Sequence, residues 1–198
     1  MKISDIKKEF PIFKKKINKK NLVYLDSANS SQKPQSVINR MSFFYENEFS
    51  NVGRSVHTLA VEATNAFEST RDLVQKFINS KYREEIVFTK GATEAINLVA
   101  SSFGDKFINK GDEIILTELE HHSNYVPWHF LRETKGAVIK FSKLNDRLEI
   151  DPDDISKLIN NRTKIIALTH ISNVTGGVTP LEKIIDIAKS KNIPVLVD

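Results

Sequence analysis

Cysteine is absent from the 198 residues, which excludes a disulfide framework, a thiolate metal site and a cysteine nucleophile among them. Long apolar runs are missing as well. Nothing approaches the ~20 continuous apolar residues of a membrane-spanning helix, so no membrane partner is expected. Glycine and proline are sparse, seven and six, and neither a repeat nor a flexible linker interrupts the chain. What is present, 40% apolar and 27% charged residues, suits a packed globular core rather than a disordered segment.

The formal net charge of +4 raises the question of nucleic acid, and its distribution answers it. Residues 1–20 hold eight lysines against Asp5 and Glu9, leaving 21 basic and 23 acidic groups in the rest of the chain. The body has no cationic surplus for a phosphate backbone, so nucleic-acid binding is not expected. The basic start is not a secretory signal, because Lys7, Lys8 and Glu9 break the only apolar stretch. It has no Arg and a single Ser, unlike a transit peptide. A cytoplasmic protein is expected.

Apolar spacing predicts helices over 35–49 and 59–79. Five short β-rich runs follow: EIVF at 85–88, EIILT at 113–117, AVIKF at 137–141, KIIALT at 164–169 and IPVLV at 193–197. Helical stretches at 92–103, 124–134, 151–160 and 180–191 lie between them. Asp151 before Pro152 and Thr179 before Pro180 read as N-caps, and Gly104 and Gly136 as residues following helix ends. Strands alternating with helices of this length predict an α/β fold, a three-layer α/β/α arrangement on a mostly parallel sheet.

Open parallel sheets bind ligands at the carboxyl ends of their strands. The polar clusters there are Thr89–Thr93, Glu118–Ser123, His170–Asn173 and Asp198. TKGATEAINLV at 89–99 leads from a run of strand character into a helix, whose free N–H groups would cradle a phosphate. It is neither a nucleoside-triphosphate loop nor a dinucleotide fingerprint. His121 and His122 are adjacent and point in different directions, with no metal-ligand spacing nearby, so no metal is expected. A histidine at a strand end suits stacking on a planar group or handling a proton. Ser172 lacks the flanking glycines of a nucleophile elbow. Asp198, ending an apolar strand, suits a cation, and a protonated pyridine nitrogen would serve. The run at 193–197 would normally be covered by a further crossover, so the front part of a longer protein, or one whose reading frame is interrupted, is expected.

The runs YLDSANSSQKP (24–34), VHTLAVEAT (56–64), FTKGATEAINLVA (88–100), ELEHHSNYVPW (118–128), THISNVTGGV (169–178) and PVLVD (194–198) resemble the pyridoxal-phosphate-dependent cysteine desulfurases. The group II type is the nearest in pattern, kin of selenocysteine lyases within the class V aminotransferase superfamily. The resemblance extends over the whole chain and implies a fold type I enzyme incomplete at its C-terminal side. Residues 1–60 would form an N-terminal segment with helices, and 61–198 the first part of the large cofactor domain.

Position by position, the resemblance implies that Ala92 and Thr93 bind the phosphate of pyridoxal 5'-phosphate. His121 would stack on the ring and act as the catalytic proton-handling residue. Asn173 would bond the phenolic oxygen and Asp198 would hold the ring nitrogen protonated. Ala28, Asn29, Arg54 and His57 would lie at the substrate mouth. The chain departs from the family at Asn29, where a second Ala is usual, and at Gly53-Arg54-Ser55, where His-Arg-Gly is common. The family's Schiff-base lysine, persulfide cysteine and carboxylate-binding arginine fall beyond Asp198.

The implied reaction is L-cysteine to L-alanine with an enzyme persulfide, in a homodimer that passes sulfur to an acceptor protein for iron–sulfur cluster assembly. The chain alone would be inactive. Selenocysteine lyase is the alternative within the superfamily, and a non-catalytic remnant the alternative of another class. A free-standing phosphate-binding module would leave His121, Asn173 and Asp198 without a shared purpose.

Overall fold

The structure, a computed structural model, describes residues 2–198. It divides into two compact units, one reaching to Phe88 and one running from Thr89 to Asp198.

The first unit opens with α1 (Ile3–Lys8), a single 3-10 turn at Pro11–Lys14 and a two-stranded antiparallel hairpin, β1 (Lys16–Ile17) with β2 (Lys20–Asn21). Asn18 and Lys19 between them have φ of 50° and 65°. Left-handed backbone at both central positions makes the tight turn that matches strand twist. Helices α2 (Gln35–Asn47) and α3 (Thr58–Phe77) follow, within a few residues of the 35–49 and 59–79 expected. His57 caps α3, its Nδ1 accepting the Ala60 N–H at 3.3 Å.

EIVF at 85–88 is not a strand. A 3-10 turn spans Arg83–Glu85, and the three residues after it are irregular. The physical reason is that no strand among the described residues pairs with it; Arg71 donates its guanidinium to the Ile86 carbonyl instead. Arg71 also lies over the rings of Phe67 and Phe88, 5.3 and 5.0 Å from their centroids, and its neighbour Glu68 pairs with Arg83 at 2.5 Å.

The second unit alternates helix and strand: α4 (Ala92–Phe107), β3 (Glu113–Thr117), α5 (Val126–Lys135), β4 (Val138–Ser142), α6 (Pro152–Leu158), β5 (Thr163–Leu168), α7 (Leu181–Ser190) and β6 (Val195–Val197). The strands form one parallel sheet in the order β4-β3-β5-β6. Because successive strand residues face opposite ways, β3 and β5 each feed two cores. Ile114, Leu116, Ile165 and Ala167 pack with Ile96 and Ala100 of α4 and Trp128 and Leu131 of α5. Ile115, Ile166 and Leu168 pack with Ile155 of α6 and Ile184 and Ala188 of α7. Each large side chain so buried contributes roughly 1.5–3 kcal/mol. The result is the α/β/α sandwich expected from the alternation.

Asp151 caps α6, accepting the Asp153 N–H at 2.9 Å. Gly136, at φ 71°, ends α5 in the left-handed conformation that glycine adopts without cost. Two expected boundaries differ. Gly104 lies inside α4, where it lets α5 approach: a Cβ there would sit 2.6 Å from Leu131 Cδ1. Thr179 does not cap α7, since its hydroxyl donates to the Thr169 carbonyl at 2.6 Å.

At the amino-terminal rim, the buried Glu113 carboxylate receives Asn160 Nδ2 at 2.7 Å and Lys140 Nζ at 2.8 Å, with Arg162 Nε at 3.8 Å. Burial pushes this carboxyl up, and the hydrogen bonds from Lys140 and Asn160 with the positive charges of Lys140 and Arg162 outweigh it, holding the group below its ordinary value. β3, β4 and the start of β5 are thereby tied at one end, leaving the other rim for the polar loops.

Candidate functional site

From β3 the chain winds to β4 on one side and returns to β5 on the other, so the sheet has a topological switch point between β3 and β5. Loops at the carboxyl ends of the strands flanking such a point diverge and leave a crevice. The turn Glu118–Asn124 leaves β3, the loop Thr169–Thr179 leaves β5, and Asp198 follows β6 at the same rim.

In the first turn, His121 Nδ1 accepts the Ser123 N–H at 3.2 Å and lies 2.8 Å from Ser123 Oγ. With Nδ1 accepting the Ser123 N–H, the neutral ring carries its proton on Nε2, and the residue is exposed. The His121 and His122 rings stand edge-on, 79° apart. No group of three or more His, Asp or Glu suited to a metal ion occurs among the described residues.

Behind His121 sits a polar network that the sequence does not single out. Glu120 Oε1 accepts Thr117 Oγ1–H at 2.6 Å and the Thr169 N–H at 3.1 Å, while Oε2 accepts Asn124 Nδ2–H at 2.6 Å. Asn124, fully buried, accepts Trp128 Nε1–H at 3.1 Å. All three groups facing Glu120 are donors, which requires two acceptor oxygens. Burial pushes its carboxyl above the usual range, hydrogen bonds from Thr117, Asn124 and Thr169 pull it back, and the charge of Asp198 adds to the rise.

The second loop is shaped by Ser172, whose buried hydroxyl accepts the Val174 and Thr175 N–H groups at 3.2 Å each. Its backbone closes the loop through Ser172 N–H to Gly177 O at 3.0 Å and Gly176 N–H to Ser172 O at 2.9 Å. Asn173 projects from this turn exposed, with no side-chain hydrogen bond among the described residues. Asp198 is half-buried, fixed through its backbone to Leu168 O and His170 N–H at 2.9 Å each. Its carboxylate has no hydrogen-bond partner among the described residues.

At the start of α4, Gly91 is the N-cap and provides no side-chain cap. The Lys90 N–H is taken by Glu94 at 2.6 Å, and the first backbone bond of the helix is Ala95 N–H to Gly91 O at 3.1 Å. That leaves the amides of Ala92, Thr93 and Glu94 and the Thr93 hydroxyl available at an exposed helix start. A Cβ on Gly91 would meet no atom within 4 Å, so the approach is open.

The other four candidates belong to the first unit. Ala28 and Asn29 form a turn closed by Asn29 N–H and Ser30 N–H on Asp26 O, at 3.2 and 3.0 Å. Arg54 is exposed in a bend, and His57 is the α3 cap. A cleft of about 330 Å³ lined by His170 and Thr179–Lys183 in the second unit includes none of the candidates.

The sequence places Glu120, Ser123 and Ser172 within its polar clusters without assigning them these roles, and it misses Asn124. Glu120 lies within the polar run 118–123, yet nothing in the run separates it from the exposed Glu118; only burial does.

Residues 23–198 match the family model for aminotransferase class-V. The chain is 46% identical over 193 residues to a probable cysteine desulfurase of Synechocystis sp., covering 98% of this chain and 46% of that one. It is 50% identical over 169 residues to one of Staphylococcus epidermidis, covering 85% and 41%. Among solved structures, the apo cysteine desulfurase of Thermococcus onnurineus NA1 superposes with a TM-score of 0.90 at 35% identity, covering all of this chain and 48% of that one. The cysteine desulfurase CsdA of Escherichia coli gives 0.84 at 35%, with the same coverage. The chain thus spans about half the length of the proteins it matches. Members of the matched family use pyridoxal 5'-phosphate, and this chain belongs to that family, the class-V aminotransferases.

Proposed function

We propose that the full-length protein is a cysteine desulfurase and that this chain supplies the residues that hold its pyridoxal 5'-phosphate. The observation that carries the proposal is the rim at the β3–β5 switch point. There the Nε2–H of the exposed His121, an unpaired amide on Asn173 and an unpaired carboxylate on Asp198 share one edge of the second unit. The same unit holds the free amides at the start of α4. These groups fit the ligand by chemistry: amide donors for a phosphate, a donor for a phenolic oxygen, a carboxylate for a protonated ring nitrogen and an imidazole for a planar ring.

The cofactor, when bound, supplies an electron sink for carbanion chemistry. Ala92 and Thr93 hold its phosphate through backbone N–H and hydroxyl, aided by the positive end of α4. Asn173 orients the ring edge through its side-chain amide. Asp198 keeps a proton at the ring nitrogen. His121, fixed in one tautomer by Ser123, covers the ring and moves a proton at Nε2.

The net reaction removes the sulfur of L-cysteine as alanine forms, and that sulfur passes to a protein thiol, giving a persulfide. The accepting thiol is not among these residues, which contain no cysteine. Ala28, Asn29, Arg54 and His57 are assigned to the substrate mouth, and the protein to a cytoplasmic homodimer that passes sulfur to an acceptor protein for iron–sulfur cluster assembly. The test is alanine release from L-cysteine by the full-length protein loaded with pyridoxal phosphate. We expect one alanine per sulfur transferred to a dithiol acceptor. Alanine from selenocysteine but not from cysteine would assign the lyase instead, and none from either would overturn both.

A further inference from the structure

The network behind His121 crosses the crevice it borders. Glu120 stands on the turn after β3, immediately before His121. One of its oxygens bonds back to Thr117 at the end of β3 at 2.6 Å and across the switch point to the Thr169 N–H at 3.1 Å. Its other oxygen bonds Asn124 at 2.6 Å, and Asn124 is held in turn by the buried Trp128 indole at 3.1 Å. Thr169 begins the loop that carries Asn173, and the next residue, His170, donates its N–H to the Asp198 carbonyl at 2.9 Å. One carboxylate therefore joins the turn that bears His121 to the loop that bears Asn173, and a separate backbone hydrogen bond joins that loop to Asp198.

We propose that Glu120 is a positioning residue that sets the width of the switch-point crevice and so the mutual placement of His121, Asn173 and Asp198 around a planar ligand. The proposal rests on the pyridoxal phosphate reading of that rim. An acid is required by the donor count. Gln at 120 could accept from Thr117 and Thr169, but its amide nitrogen would then face Asn124 Nδ2, donor against donor. Turning Asn124 over would only move the fault to Trp128 Nε1. A carboxylate satisfies every member, and a fully satisfied buried network specifies one geometry. Its charge also adds to the negative potential around Asp198.

The experiment compares the full-length protein with Glu120→Gln and Thr117→Val by titration with pyridoxal 5'-phosphate. Affinity is read from the visible absorbance, and ring placement from the induced visible circular dichroism of the bound form. Both are taken well below each variant's unfolding temperature, so lost stability alone would leave the dichroism unchanged. Glu120→Gln is expected to weaken binding roughly three- to tenfold, the worth of one mispaired buried hydrogen bond, and to reduce the dichroism per bound cofactor. Thr117→Val, which keeps the carboxylate but removes one donor, should give a smaller change in the same direction. A folded Glu120→Gln protein with unchanged affinity and dichroism overturns the proposal. If that variant does not fold, unchanged values for Thr117→Val overturn it. No binding by the parent protein would instead overturn the cofactor reading beneath it.

Discussion

Asn124 and Trp128 are joined one helical turn apart by an indole N–H···O bond of 3.1 Å, and both side chains are fully buried. The spacing is the ordinary i to i+4 neighbourhood, here spanning the passage from the β3 turn into α5. Trp128 fills the core beneath the rim, and its one polar atom finds its partner in the turn above. Asn124→Ala would strand both Trp128 Nε1 and one oxygen of Glu120. With buried groups left unpaired costing about 1–3 kcal/mol, we expect a loss near the upper end, measured by urea unfolding. Asn124→Asp keeps the acceptor for Trp128 but sets a second carboxylate against Glu120. It should be destabilised more at pH 8 than at pH 5, where protonation relieves the repulsion.

Glu113 makes the amino-terminal rim sensitive to acid. Its folded carboxyl is held below its ordinary value, so the stability it contributes is complete above the unfolded value of about 4.3 and is lost as pH falls through the folded value. Glu113→Gln should flatten the stability-versus-pH curve in that acid range. Its cost at pH 7 should be about 2 kcal/mol, below the ~3–5 of a fully buried pair, because Lys140 is still 30% exposed. Thermal unfolding between pH 3 and pH 7 measures both.

The division between what sequence reveals and what only folding reveals follows from range. The strand β3 falls at 113–117 as its apolar run predicts, because five consecutive residues buried on both faces need no distant partner to be recognised. The Asp151 cap and the Gly136 terminus are local too. EIVF has the same composition as a strand and is not one, since a strand also needs a neighbour and none pairs with it among the described residues. Gly104 reads as a helix end, yet its reason is Leu131 on another helix. In the site, the exposed His121 and Asn173 and the half-buried Asp198 are legible as polar residues after apolar runs. The supporting roles of Glu120, Asn124 and Ser172 are not, because burial of a polar side chain is a property of the fold.

Thr93 offers a hydroxyl at the start of α4 beside three free amides. Under the proposed function, Thr93→Val weakens binding of pyridoxal phosphate about three- to tenfold. Binding of pyridoxal, which lacks the phosphate, should not change. Parallel titrations of the full-length protein with the two compounds check this, and an equal loss for both would place Thr93 away from the phosphate.

For His121, the Ser123 N–H on Nδ1 fixes the neutral tautomer with its proton on Nε2. Nitrogen-15 spectra of labelled protein at alkaline pH should show an acceptor-type Nδ1 and a protonated Nε2 for this residue. The reverse assignment would remove the Nε2 proton on which its proposed role depends.

The central claim is that the rim of β3, β5 and β6 holds pyridoxal phosphate with Asp198 at the ring nitrogen. The most direct test is the visible spectrum and cofactor affinity of the full-length protein beside its Asp198→Ala variant. The account predicts a visible absorption band in the parent protein, with a shifted band and affinity lowered about tenfold or more in the variant, as expected for losing a charge-assisted bond. Identical spectra and affinities for the two proteins would contradict it.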